Sequence, residues 1–210
     1  MNEDIDITRA RLDTPGCGNV IHFNNAGASL MPRPVLKAIT EHLYLEAAIG
    51  GYEAAARAHD AVEHVYYSIS KLLNCEPGEI AVIENATRAW DMAFYSIQFT
   101  PGDIILTSVA EYASDRRASD RLHLGILKCG IVSFTIDGHR PEDIGSKLAR
   151  QNINVTYSLA EYTRLDMEAR GLDSLIRASV HYYNTEEEID RFCETLREIA
   201  SCRYQGLASS

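Results

Sequence analysis

Leu36, Ile39 and Leu43, with Ala47 one turn further on, recur at helical spacing. They predict a helix over 34–48 that Pro34 opens and Gly50-Gly51 closes. A second helix is expected from about Glu53 to Leu73, on the stripe Val62, Val65, Tyr66, Ile69, Leu72 and Leu73. Glu76-Pro77-Gly78 has turn chemistry. The short β-branched run 79–83 then predicts a strand. Trp90, Ala93, Phe94 and Ile97 mark the inner face of a third helix that follows Asn85-Ala86-Thr87. Pro101-Gly102-Asp103 turns the chain into another predicted strand, 104–109.

The stretch Asp115 to Arg121 carries five charges in seven residues and reads as a solvated helix turn or linker. Beyond it the pattern predicts a strand over 129–136, a turn at Asp137-Gly138 and a helix opened by Pro141 and carrying Ile144 and Leu148. Strands at 154–158 and 175–182 follow. Thr185 and Glu188 have capping-box spacing, and Ile189, Phe192, Leu196 and Ile199 stripe a last helix. The expected class is α/β, with residues 1–120 and 121–210 as two domains, the second a β-α-β-β-α unit.

Composition narrows the function. The 210 residues carry a formal charge of −10 and are 46% hydrophobic, which is ordinary for a globular chain. An acidic balance argues against nucleic acid, whose phosphates need clustered Lys and Arg. No apolar run approaches the ~20 residues that span a bilayer, so no membrane partner is expected. The acidic, polar opening MNEDIDITRARLD lacks the features of a signal peptide, so a cytoplasmic location is expected. The five cysteines are scattered without a CxxC, and the histidines show no ligand spacing, so neither disulfides nor a metal site is expected.

Two local features carry candidate chemistry. Asn85-Ala86-Thr87-Arg88 stands between a predicted strand and a helix, where free N–H groups favour a phosphate; the plainer reading makes Thr87 an N-cap. Arg177 lies inside an apolar strand. If buried, its guanidinium must be paired, and a ligand carboxylate would suit it; on an edge strand it would simply face solvent.

In combination the segments resemble one family. Phe23-Asn24-Asn25-Ala26-Gly27-Ala28-Ser29-Leu30-Met31-Pro32 is similar to the N-terminal signature of class V aminotransferases. These are fold-type I pyridoxal phosphate (PLP) enzymes that include cysteine desulfurases and isopenicillin N epimerase-like proteins. Glu84 to Trp90 resembles the family's phosphate turn, and Glu111-Tyr112-Ala113-Ser114 stands where an aromatic ring stacks on the cofactor. Arg177 to Thr185, with Glu188-Ile189-Asp190, resembles its C-terminal signature. The resemblance implies Ala86, Thr87, Arg88 and Tyr112 as cofactor contacts, and Asn25, Ala28 and Arg177 as substrate contacts. It also implies an amino-acid substrate and a dimer.

One departure changes what the resemblance implies. The family's central segment, with the aspartate that faces the pyridine nitrogen and the Ser/Thr-x-His-Lys motif, is missing between Ser114 and Leu122. The lysines are Lys37, Lys71, Lys128 and Lys147, and none follows a histidine. PLP chemistry needs a lysine imine. The expected architecture is therefore a partial fold-type I enzyme with an incomplete large domain and a complete small one, with PLP binding weak or absent and no catalytic residue. The desulfurase branch places its nucleophilic cysteine before the substrate arginine, and 154–177 contains none. The other readings are a non-catalytic binding or dimerisation module, paired with itself or with a full-length paralogue, and a phosphate-ligand binder unrelated to PLP.

Overall fold

The computed structural model describes residues 5–104 and 130–201. The chain folds as two units, one built from the residues up to Arg33 together with those from Ile104 on, the other Pro34–Asp103. Along the chain the elements are α1 (Ile7–Asp13), β1 (Ile21–His22), α2 (Arg33–Ile49), α3 (Gly51–Leu73) and α4 (Ala86–Ser96). They continue with β2 (Ile131–Phe134), α5 (Pro141–Ala149), β3 (Ile153–Asn154), β4 (Thr156–Leu159), α6 (Arg164–Arg170), β5 (Ser174–Ser179) and α7 (Glu186–Ser201). Among the described residues the class is α/β, as expected.

The first unit is organised by β5, which pairs antiparallel with β2 on one side and β4 on the other. A second, parallel pair joins β1 to β3 through Ile21 and Ile153. The arm before residue 33 is therefore part of this unit's core. Ile21 and Phe23 are buried with Ile144, Leu148, Ile176, Phe192 and Ile199, and the Phe23 ring lies 5.1 Å from that of Phe192, tilted by 60°. Each such side chain stabilises the unit by about 1.5–3 kcal/mol.

The predicted capping box forms: Glu188 N donates to Thr185 Oγ1 at 3.3 Å, and Thr185 N donates to Glu188 Oε2 at 3.2 Å. Pro141 occupies the first turn of α5, where its missing N–H costs nothing. The strand expected over 154–158 is split into β3 and β4. The one expected over 175–182 ends at Ser179, because the chain then turns through His181 and Asn184 to start α7. The short helices α1 and α6 were not expected from the sequence. Both are charged segments, and α6 buries only Met167.

In the second unit α2 and α3 match the predicted helices. Gly50 (φ 94°) starts α3 and Asn74 (φ 55°) ends it. A side chain at position 50 would be strained in that backbone conformation and would meet Glu53 Oε2 at 2.7 Å. The predicted strand 79–83 is not one. Pro77–Glu79 makes a 3₁₀ turn closed by Glu76 and Glu79, and no described segment offers Ile80–Ile83 a ladder. The predicted strand 104–109, from Ile105 on, and the expected domain boundary near residue 120 lie outside the described residues.

Candidate functional site

Ser179, at the end of β5, engages the arm with every polar group it has. Its N–H donates to Phe23 O at 2.7 Å and its carbonyl accepts from Asn25 Nδ2 at 2.8 Å. Its hydroxyl oxygen accepts from Ala26 N at 2.9 Å. This places Asn24 opposite Ser179 in parallel register. The Tyr183 hydroxyl, buried in the following turn, donates to Asn25 Oδ1 and accepts from Leu30 N at 3.1 Å.

Of the three candidate substrate contacts, Asn25 is held inside this network. Its Nδ2 donates to His22 O at 2.9 Å as well as to Ser179 O. Ala28 is exposed; its N–H bonds Asn24 O at 3.1 Å, and its carbonyl bonds His22 Nε2 at 2.9 Å. Arg177 is on the central strand, opposite Ser133 on β2 and Thr156 on β4. An edge-strand arginine is thus excluded. Ile176 and Ala178 point into the core, so Arg177 and Ser179 share the other face of the sheet.

No hydrogen bond or ion pair links the Arg177 guanidinium to another described residue, and its Nε is buried without an acceptor. Asn24 Oδ1 and His181 Nδ1 are in the same condition. Buried polar atoms are nearly always bonded, because desolvation without a partner costs about 1–3 kcal/mol. The three atoms lie on β5, in the turn that follows it and on the arm paired with it.

The second unit carries the segment that resembles the family's phosphate turn. Its N-cap is Asn85, not Thr87: Asn85 Oδ1 accepts from Arg88 N at 2.9 Å. Thr87 lies inside the first helical turn. The N–H groups of Ala86 and Thr87 have no partner among the described residues, and both residues are exposed. The Arg88 side chain lies 3.8 Å from Glu84 in a solvated pair, worth about 0–1 kcal/mol. Tyr112, the remaining cofactor candidate, lies outside the described residues. The sequence reading missed Ser179, Tyr183 and Asn24. All three sit in quoted motifs, but their roles depend on a pairing between segments more than 150 residues apart.

A family model for aminotransferase class-V matches residues 21–125 and 127–192. The chain belongs to the aminotransferase class-V family. This class-V chain is 32% identical over 103 residues to a probable cysteine desulfurase of Synechocystis sp., covering 46% of the chain and 24% of that protein. It is 29% identical over 118 residues to a probable cysteine desulfurase of Pyrococcus abyssi, covering 53% of the chain and 29% of that protein. The apo structure of a cysteine desulfurase from Thermococcus onnurineus NA1 matches at a TM-score of 0.32 and 30% identity, over 33% of this chain and 17% of that one. The class-V chain thus matches less than a third of the length of each of these two relatives.

The class-V family depends on PLP. The donor set here fits one end of that cofactor only. Free N–H groups at the start of α4 suit its phosphate. Its aldehyde needs a lysine amine, and the lysines do not provide one in a family motif. Lys37 is exposed and 3.8 Å from Glu41, Lys71 is exposed in the last turn of α3, Lys147 is in the last turn of α5, and Lys128 lies outside the described residues. Among the described residues, none of these lysines follows a histidine as the family motif requires.

Proposed function

We propose that this chain is a non-catalytic member of the class-V family that binds the carboxylate of an amino acid and does not turn it over. On this reading Arg177 takes the carboxylate, and Asn25 and Ala28, which the resemblance assigns to the substrate, belong to the arm paired with its strand. The resemblance assigns Ala86, Thr87, Arg88 and Tyr112 to the cofactor. Residues 1–120 correspond to the arm and an incomplete large domain, and 121–210 to the small domain of a fold-type I enzyme with an internal deletion. The observation that carries the reading is the Arg177 guanidinium, buried in part on a central strand with Nε unpartnered. A buried guanidinium without a carboxylate is costly, and its planar fork matches a carboxylate bidentately. Desulfuration is disfavoured, because 154–177 contains no cysteine.

The test is a calorimetric or NMR titration of the full chain with L-alanine. A dissociation constant of about millimolar is expected, weakened at least about tenfold by Arg177→Gln, the loss of one charged hydrogen-bonding partner. No binding, or binding indifferent to Arg177→Gln, would overturn the reading. PLP itself is expected to bind no more tightly than about micromolar, through the turn at Thr87.

A second reading, an assembly module, is favoured by the exposed apolar side chains of the second unit. Leu36, Ile39, Leu43, Val62, Val65 and Leu72 all remain exposed in the folded chain. A second copy, or a full-length paralogue, would cover them.

A further inference from the structure

We infer that Asn24, and not Asn25, is the arm residue that touches the ligand, and that it accepts a hydrogen bond from the α-ammonium of the amino acid held by Arg177. The inference rests on the carboxylate reading of Arg177 and assigns the other end of the same ligand.

Two observations carry it. The first is saturation of the Asn25 amide. Its two N–H groups go to His22 O and Ser179 O, and its oxygen takes the Tyr183 hydroxyl. A carboxylate needs donors, and this amide has none left. Asn25 is therefore a positioning residue: with Ser179 and Tyr183 it fixes the arm against β5. The Ala26, Gly27, Ala28 and Leu30 N–H groups are likewise engaged within the protein.

The second observation is the opposite condition of Asn24. Its Oδ1 is buried and has no donor. Its parallel pairing with Ser179 puts its side chain on the sheet face that carries Ser179 and Arg177, one strand across and two residues along from Arg177. Diagonal neighbours of this kind lie ~7–8 Å apart at Cα, a separation that an α-amino acid spans when bound at both ends. One face thus presents an unpartnered donor, Arg177 Nε, and an unpartnered acceptor, Asn24 Oδ1. A zwitterion satisfies both. Gly27 keeps this arrangement open, because a Cβ there would stand 3.0 Å from Asn24 Oδ1.

The test compares L-alanine with propionate, its analogue without the ammonium, on the full chain. Asn24→Ala should weaken L-alanine at least about tenfold, the cost of one charge-assisted hydrogen bond, and leave propionate within about twofold. Arg177→Gln should weaken both ligands. Asn24→Asp, which keeps the acceptor and adds a charge, should hold L-alanine at least as tightly as the unaltered chain. Thermal unfolding confirms that each variant is folded, and Asn24→Ala removes no hydrogen bond of the described side chain. If Arg177→Gln weakens both ligands while Asn24→Ala changes neither, or weakens both equally, the Asn24 assignment is overturned and the Arg177 reading survives. If the unaltered chain binds neither ligand, both fall.

Discussion

Arg11 and Glu188 meet at 2.8 Å, where the N-terminal arm passes the start of α7. The same guanidinium donates to Tyr183 O at 2.7 Å. The other Glu188 oxygen accepts from Asn184 Nδ2 at 3.0 Å and from Thr185 N at 3.2 Å. The pair is only partly screened, with side chains 27% and 11% exposed. One carboxylate thus closes the cap of α7 and ties the arm to it. Glu188→Ala should cost about 2–4 kcal/mol, since it removes both a cap and a half-buried ion pair. Arg11→Ala should cost about 1–2 kcal/mol, because Glu188 keeps two donors. Urea unfolding of the two variants measures the difference; equal losses would show that the cap contributes nothing.

The arm also contributes to the core. Phe23 is 1% exposed and packs on Phe192, so Phe23→Ala should destabilise the first unit by about 3–5 kcal/mol. Leu72, 83% exposed in the second unit, should tolerate alanine within about 0.5 kcal/mol in the monomer. Thermal unfolding of each variant at low protein concentration checks both values.

These relationships show what periodicity can and cannot reveal. The helices α2, α3, α4, α5 and α7 were legible because each carries an apolar stripe or a terminal signal. The β1–β3 pair was not, since two residues per strand leave no alternation to read and the partners are Ile21 and Ile153. The run Ile80–Ile83 has strand composition but no described partner, and a strand exists only through its ladder. Arg177 was legible as a charge in an apolar strand. Asn24 and Ser179 were not, because an unpartnered atom becomes visible only when its surroundings are known.

Association is the expected consequence of the bare helices α2 and α3. Leu43 is 58% exposed and Val65 41%, so the two helices do not cover these side chains. Burying each is worth about 1.5–3 kcal/mol. Sedimentation at micromolar concentration should give a species heavier than the 23.4 kDa chain. Leu43→Asp together with Val65→Asp should return it to the monomer, whereas Ile144→Asp should unfold the first unit. A concentration-independent monomer would contradict the prediction.

Stability should fall on the alkaline side. Burial pushes up the pKa of the Tyr183 hydroxyl, and burial also pushes up that of the Cys17 thiol, against a smaller opposing effect of Arg11. The folded chain then holds protons that the unfolded chain releases from about pH 9 to 10 upward. Both contributions are intact below that range and are lost as pH rises through the higher folded values. Urea midpoints between about pH 8 and 11 should decline, and the decline should be shallower in Tyr183→Phe combined with Cys17→Ala. An unchanged slope would contradict the assignment.

The central claim is that this class-V chain binds without catalysing, and borohydride reduction in the presence of PLP tests it most directly. An enzyme of the family is trapped as a stoichiometric pyridoxyl adduct on one lysine, because the imine is held in place by its motif. Peptide mapping of this chain should instead find only sparse labelling spread over Lys37, Lys71, Lys128 and Lys147, with no turnover of an added amino acid. A stoichiometric adduct on any one of them, accompanied by turnover, would contradict the account.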